Sequence, residues 1–291
     1  MLYLIGSVLF SSYLTLSFKG IKKYHISSFQ TIVFNYLTCA ITGSILSGSF
    51  PIASSIHKPW IFWALLIGFT FVFLLNIIGI TAREISVAVA SVANKLSLVI
   101  PFIFSISLYN ENATAFKICG VILALAAVVL AGLPPDKEKP SSKISPVLKF
   151  MLPVILFIGS GLLDTMMKYV QAKYLGSSDD TEYITVLFTS AFCIGLMAMP
   201  FYLKIREQSF DKRSILAGII IGLPNYFSIW CLIKVLKFFN NNSSAIIPIN
   251  NMCIVLVSSI AAWIFFREKL SLINWIGIVL SIGAIALIAF G

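Results

Sequence analysis

"FFREKLSLINWIGIVLSIGAIALIAFG", residues Phe265–Gly291, repeats the plan of an earlier stretch, "LYNENATAFKICGVILALAAVVLAG", residues Leu108–Gly132. Each copy leaves an apolar run through a short polar knuckle holding one glutamate, Glu111 or Glu268. Each has a glycine nine residues later, Gly120 or Gly277, and then runs apolar to a closing glycine. A run of about 20 apolar residues is what a helix needs to cross the hydrocarbon of a bilayer. The copies differ in charge. Asparagines flank Glu111, whereas Arg267 and Lys269 flank Glu268. That difference decides how the two copies are threaded.

Composition gives the setting. The chain has 291 residues, 59% hydrophobic and only 11% charged, against about 25% charged in a soluble domain. So little charge cannot cover a water-facing surface, and what there is gathers in short clusters between long apolar runs. This is the pattern of an all-α, multi-pass integral membrane protein. An outer-membrane barrel would need short alternating segments, whereas these runs are continuous. Ten candidate spans follow: 2–18, 28–47, 59–80, 86–108, 113–133, 148–169, 183–203, 214–236, 243–266 and 271–290. The longest connection, "LPPDKEKPSSKISP" at Leu133–Pro146, has four prolines and reads as a solvated linker. It divides the chain into a first five-helix repeat (1–133), a cytoplasmic linker (134–147) and a second five-helix repeat (148–291).

Lys and Arg exceed Asp and Glu by 21 to 11. In a soluble protein that excess would point to nucleic acid, but here it reports orientation and no nucleic-acid partner is expected. The odd-numbered loops hold fourteen Lys and Arg and the even-numbered loops four. The positive-inside rule puts the odd loops in the cytoplasm. The first run, Leu2 to Phe18, has its cations after it, at Lys19, Lys22 and Lys23, so a cleaved leader is not expected. Cys39, Cys119, Cys193, Cys231 and Cys253 all fall inside apolar runs, without CxxC pairing, and read as small buried hydrophobes. With His25 and His57 in separate loops, no metal site is expected.

Aligning Glu111 with Glu268 brings Gly120 onto Gly277 and Asn94 onto Asn251, and nearby shifts bring Lys19 onto Lys168 and Gly68 onto Gly222. The halves read as a duplication. Because five is odd, the second copy enters the membrane upside down, and the cations around Glu268 but not Glu111 fit that inversion. The first loops of the halves differ likewise: "FKGIKKYH" is basic, whereas "YLGSSDDTEY" carries Asp179, Asp180 and Glu182. Inverted repeats are a recurrent construction of secondary transporters.

On these features the chain resembles the EamA-type transporters of the drug/metabolite transporter superfamily: the five-plus-five layout, the Glu knuckles, Gly120 and Gly277, and the lysines Lys19 and Lys168 closing each half's first span. The resemblance implies inverted repeats around a central cavity lined mainly by the first, third and fourth spans of each half. It also implies export or exchange of small metabolites without ATP.

No P-loop, GxSxG or HExxH is present. An enzyme is therefore not expected, and no cofactor. Polar residues inside spans are the informative ones, since burying them in hydrocarbon is costly. The sixth span puts Ser160, Asp164, Lys168 and Gln171 on one helix face. Asp164 and Lys168 can pair there as a structural ion pair, or line a wet cavity with Asp164 as a proton-coupling group. In the fourth span, Lys95, beside Ser91 and Asn94 with Pro101 two turns on, lies too far from either end to snorkel easily. It reads as a site for a carboxylate or phosphate, or as the partner of Asp164. Tyr226, Trp230 and Lys234 recur every four residues, and Asn225, Asn250 and Asn251 lie near Pro224 and Pro248. Such asparagines satisfy backbone groups freed by proline or read a ligand. Thr31, Asn35, Thr38 and Thr42 share a face that reads as helix–helix hydrogen bonding, and Gly218 and Gly222 form a GxxxG packing motif.

The expected function is secondary transport of small anionic or zwitterionic metabolites, such as amino acids, across a bacterial inner membrane. Substrate contacts are expected from Lys95, Asn94, Asn76, Asn225, Tyr226, Trp230, Asn250, Asn251 and Tyr13, and proton coupling from Asp164 with Lys168. The partners are the solute, membrane lipid and coupling protons, with a homodimer left open. The competing readings are proton-coupled efflux of lipophilic cations centred on Asp164, and a non-transporting assembly or biosynthetic subunit.

Overall fold

A computed structural model describes residues 2–24, 26–48, 50, 52–84, 87–109, 114–132, 145–176, 180–206, 209–239, 243–266 and 271–290. Every regular element among them is helical: α1 (Leu2–Lys23), α2 (Ser28–Ser47), α3 (Ile52–Ser55), α4 (Ile61–Glu84), α5 (Val87–Leu96), α6 (Val99–Tyr109), α7 (Ala115–Gly132), α8 (Pro146–Lys173), α9 (Asp180–Arg206), α10 (Arg213–Phe238), α11 (Ser243–Phe266) and α12 (Leu272–Phe290). Six of them, α2, α4, α8, α9, α10 and α11, hold stretches long and apolar enough to cross a membrane. Shorter apolar stretches cover Leu2–Ser17, Ala93–Leu108, Ala115–Leu130 and Leu272–Ile288. The chain is thus an all-helical, multi-pass integral membrane protein. Both knuckle glutamates, Glu111 and Glu268, and most of the proline-rich linker lie outside the described residues.

Helices α2 and α11 begin and end where hydropathy places them. Gly48, at φ +70°, ends α2 in the left-handed conformation and returns its N–H to the Ile45 carbonyl. Other helices overrun their apolar cores, because polarity ends a hydrophobic run without ending a helix. Helix α9 starts at Asp180, three residues before the expected Tyr183, with Asp180 and Glu182 in its first turn. Acids there complement the positive end of the helix dipole. The fourth expected span is corrected: it is two helices, α5 and α6, joined at Ser97–Leu98.

The chain forms two compact units, each built from both halves of the sequence. Unit 1 comprises Met1–Phe73 and Met166–Lys237, and unit 2 comprises Leu74–Thr165 and Phe238–Gly291.

In unit 1, α2 packs antiparallel to α9. Phe29 stacks on Tyr202 at 4.3 Å, Tyr36 on Phe188 at 5.9 Å, and Gly43 abuts Thr185. The glycines of the GxxxG in α10 seat the same helix. A Cβ on Gly218 would fall 2.5 Å from the Phe34 Cβ, and one on Gly222 would fall 2.5 Å from the Thr38 Cβ. Lipid tails are as apolar as leucine, so close backbone approach of this kind is what holds membrane helices together. Fully buried Gln30 clamps the turn before α10, donating to the Ser209 carbonyl at 3.1 Å and accepting from the Asp211 N–H at 2.8 Å.

In unit 2, α7 packs antiparallel to α12. Gly120, near the start of α7, lies against Ala284 and Ile288, near the end of α12. At the opposite end the Asn274 amide donates to the Leu130 carbonyl at 3.1 Å, while its Oδ1 accepts from the Ser271 N–H and hydroxyl. Gly120 and Gly277, the two marker glycines, are both buried on these helices.

Of the cysteines, Cys39 and Cys231 are buried, Cys253 is half-buried, and Cys119 and Cys193 are exposed on outer helix faces. The expectation of burial is corrected for the last two. Inside an apolar run a cysteine can equally face lipid, and hydropathy does not tell the two sides apart.

Candidate functional site

The break between α5 and α6 is local chemistry. Pro101 has no N–H to offer the Ser97 carbonyl four residues back. The Ile100 N–H takes that carbonyl instead, at 2.9 Å, tightening the turn. The Ser97 hydroxyl donates to the Asn94 carbonyl at 2.5 Å, and the Leu98 N–H to that of Lys95 at 3.3 Å. The carbonyls orphaned at the end of α5 are thus satisfied within the turn. Helix α8 comes in against this break at Gly161, where a Cβ would fall 2.5 Å from the Ile100 Cβ and 2.8 Å from the Ser97 carbonyl oxygen. One turn on from Gly161 is Asp164.

The close seat brings three residues of unit 2 together. The Lys95 ammonium donates to the Asn251 Oδ1 at 3.5 Å. The Asp164 carboxylate lies within electrostatic reach of both the Asn251 side chain and Lys95. One amide thus interacts with both a cation and an anion, its oxygen accepting from the first. All three side chains are half-buried. Opposite charges so placed attract far more strongly than in water, and removing one would strand the other in a poor solvent. The chemistry available here is reversible exchange: a ligand carboxylate can take the ammonium, and a proton or ligand cation the carboxylate.

The remaining candidates of unit 2 stand as follows. Asn94 is half-buried and its carbonyl caps the break. Asn250 is 5% exposed, and its Oδ1 meets no hydrogen-bond donor among the described residues. Asn76 is half-buried on α4.

The candidates of unit 1 sit in a different environment. Asn225 is buried and donates to the Asn35 Oδ1 at 3.1 Å. Cys39 donates its thiol proton to the Gly222 carbonyl at 3.2 Å beside that pair. Tyr226 is fully buried, with Phe188 and Phe227 around it. Trp230 is half-buried, edged by Tyr3 at 5.5 Å and carrying the Lys234 ammonium 5.5 Å over its ring. Tyr13 is exposed. Lys168 is 2% exposed and donates to the Gln171 Oε1 at 3.1 Å, three residues on along α8. The Lys19 side chain lies outside the described ones. On the second-span face, Thr31, Thr38 and Thr42 each donate to the carbonyl four residues back, so only Asn35 and Cys39 reach another helix.

Sequence reasoning missed Asp180. It reads as a loop acid, yet it is 3% exposed and ion-paired with Lys234 and Lys237. The available signal was the acid pair Asp179–Asp180 standing where a helix would begin. A cleft of about 670 Å3 opens between α2 and α9, walled by Leu37, Ala40, Ile41, Ile45, Phe192 and Cys193 among others. It contains none of the candidate residues, and its walls are those of a lipid-facing surface. Among the described residues no three His, Cys, Asp or Glu side chains gather as metal ligands would.

Comparison with known proteins adds the lineage. Over 291 residues the chain is 29% identical to an uncharacterized protein of Haemophilus influenzae, covering 97% of this chain and 95% of that one. A protein of known crystal structure superposes with a TM-score of 0.77 at 15% identity, over 99% of this chain and 96% of its own, so the likeness is one of fold. The profile of the EamA-like transporter family matches residues 142–290. With just over half the chain matched, and apolar helices throughout the rest, the protein belongs to the EamA-like transporter family.

Proposed function

We propose that this is a secondary active transporter of small organic metabolites, anionic or zwitterionic, with amino acids among them. It works by alternating access in a bacterial inner membrane, with the ten apolar stretches forming two oppositely threaded five-helix repeats. The antiparallel packing of α2 on α9 and of α7 on α12 supports the inversion, because these are the second and fifth spans of each half.

The observation that carries the reading is the Lys95–Asn251–Asp164 centre beside a broken helix. Membrane proteins place charge at such depth where a solute or ion passes, and broken helices mark binding sites in transporters. Lys95 receives the solute's carboxylate or phosphate. Asn251, with Asn94, Asn250 and Asn76, supplies hydrogen bonds, and Asp164 takes the coupling proton when Asn251 turns away. The rival reading, export of lipophilic cations, is disfavoured because Lys95 already counters the Asp164 charge.

The test is flux in proteoliposomes loaded with a labelled panel of amino acids and small organic acids. Lys95→Met is expected to lower flux more than about tenfold, equivalent to about 1.4 kcal/mol in the barrier. The Lys95→Met/Asp164→Asn double variant, which restores charge balance, is expected to regain stability but not flux. Undiminished flux through folded Lys95→Met overturns the assignment.

A further inference from the structure

A second charged cluster lies in unit 1. Asp180 opens α9 with its side chain 3% exposed. Lys234 reaches its Oδ2 at 2.9 Å, and Lys237, one turn along α10, reaches its Oδ1. Lys237 also donates to the Gly176 carbonyl. Two ammonium groups therefore share one carboxylate. The other acid described in that turn, Glu182, is engaged by the hydroxyls of Ser54 and Ser55 at 2.9 and 2.7 Å. The positive end of α9 adds to the same side of the balance. Both lysines keep part of their surface open, 28% for Lys234 and 21% for Lys237. Beneath the first lies the Trp230 ring, with Tyr3 at its edge.

Each feature has a consequence for binding. A free lysine must give up rotamer entropy to hold one geometry, and Asp180 has already ordered these two. Among the described residues one carboxylate faces the two ammonium groups, which leaves unmatched positive charge and unused N–H donors there. The aromatic floor suits a small organic body attached to the anion.

We propose that Lys234 and Lys237 form an anion-receiving site for the carboxylate or phosphate group of a small molecule, with Asp180 as the positioning residue and Trp230 as the apolar wall. The alternative is a plain ionic pin fastening α9 to α10. The two differ in sign. A pin without its carboxylate only loosens, whereas a receiving site without its resident carboxylate gains appetite for anions.

Quenching of Trp230 fluorescence by iodide, an anion, against neutral acrylamide reads the local charge without any transported substrate. The full-length protein has five tryptophans, so the Trp230 component is taken as the difference between the parent and Trp230→Phe. The iodide-to-acrylamide ratio is expected to fall at least threefold in Lys234→Gln/Lys237→Gln, to persist in Lys234→Arg/Lys237→Arg, and to rise in Asp180→Asn. Millimolar acetate and inorganic phosphate should compete with iodide in neutral-lipid nanodiscs if the occupant is a free solute. Replacing part of the neutral lipid by phosphatidylglycerol should do so if it is a headgroup. An unchanged ratio on removal of both lysines, a lower ratio in Asp180→Asn, or no competition from acetate, phosphate or phosphatidylglycerol overturns the proposal. Because no flux is measured, failure here leaves the Lys95 assignment standing, and the reverse also holds.

Discussion

The α2–α10 contact of unit 1 and the α5–α6 break of unit 2 treat their buried polar residues in opposite ways. At the α2–α10 contact in unit 1, Asn35 and Asn225 are closed on each other, Cys39 on the Gly222 carbonyl, and each threonine of the α2 face on its own helix. That contact is neutral, and these groups are satisfied internally. Unit 2 keeps a cation and an anion at depth, joins them through one amide, and places them beside a helix that proline has interrupted. A satisfied neutral network makes a frame. A half-buried cation and anion whose one hydrogen bond, from Lys95 to Asn251, is long can exchange their partners for a ligand. The contrast supports packing as the role of the α2–α10 contact and the proposed solute chemistry at the α5–α6 break.

The sharpest structural challenge is Gly161→Val. Extra methyls there meet the Ile100 side chain and the Ser97 carbonyl, and overpacking of this kind costs about 1–3 kcal/mol. The melting temperature should fall, and flux per folded molecule should fall with it, because the strain lands on the turn that carries Lys95. If flux per folded molecule is intact, the break and the centre are uncoupled. Next in size is Asn225→Ala, which orphans the buried Asn35 amide at a cost of about 1–3 kcal/mol. Here stability should drop while flux per folded molecule is kept, and a selective loss of flux would move Asn225 from frame to site.

The smallest effect concerns the turn between α9 and α10. The hydrogen bond from the Arg213 side chain holds the Asp211 carboxyl below the usual carboxylate range. Its folded value is thus below the unfolded one, so the stabilisation is full above about pH 4 and is lost as pH falls through the folded value. The pair is solvent-exposed and contributes little. The melting-temperature gap between the parent and Asp211→Asn should be small and flat from neutral pH down to mildly acidic conditions, and should close below that. A gap that widens in acid would contradict the sign.

Much of this contrast was legible in the sequence, for physical reasons that can be named. Lys95 and Asp164 stood out because charge deep in an apolar run is expensive wherever it occurs. Pro101 and the GxxxG of α10 announced a broken ladder and a close helix contact through backbone chemistry alone. The bridging role of Asn251 was not legible, since many buried asparagines look alike until a third helix shows which one reaches both charges. Asp180 was hidden for a different reason. Hydropathy ends the span at Tyr183, while the helix continues a turn further and carries the acid under two lysines. The interleaving of the halves into two units is likewise a property of which helices touch, and no local pattern reports it.

The central claim is that two related bundles are threaded with opposed polarity. The most direct measurement places single cysteines at Gly20, after the first apolar run, and at Ser178, after the sixth, in a background lacking the five native cysteines. Each is labelled with a membrane-impermeant maleimide in right-side-out and in inverted vesicles. Opposed threading requires Gly20→Cys to react only in inverted vesicles and Ser178→Cys only in right-side-out ones. Reaction of both from the same face would contradict it.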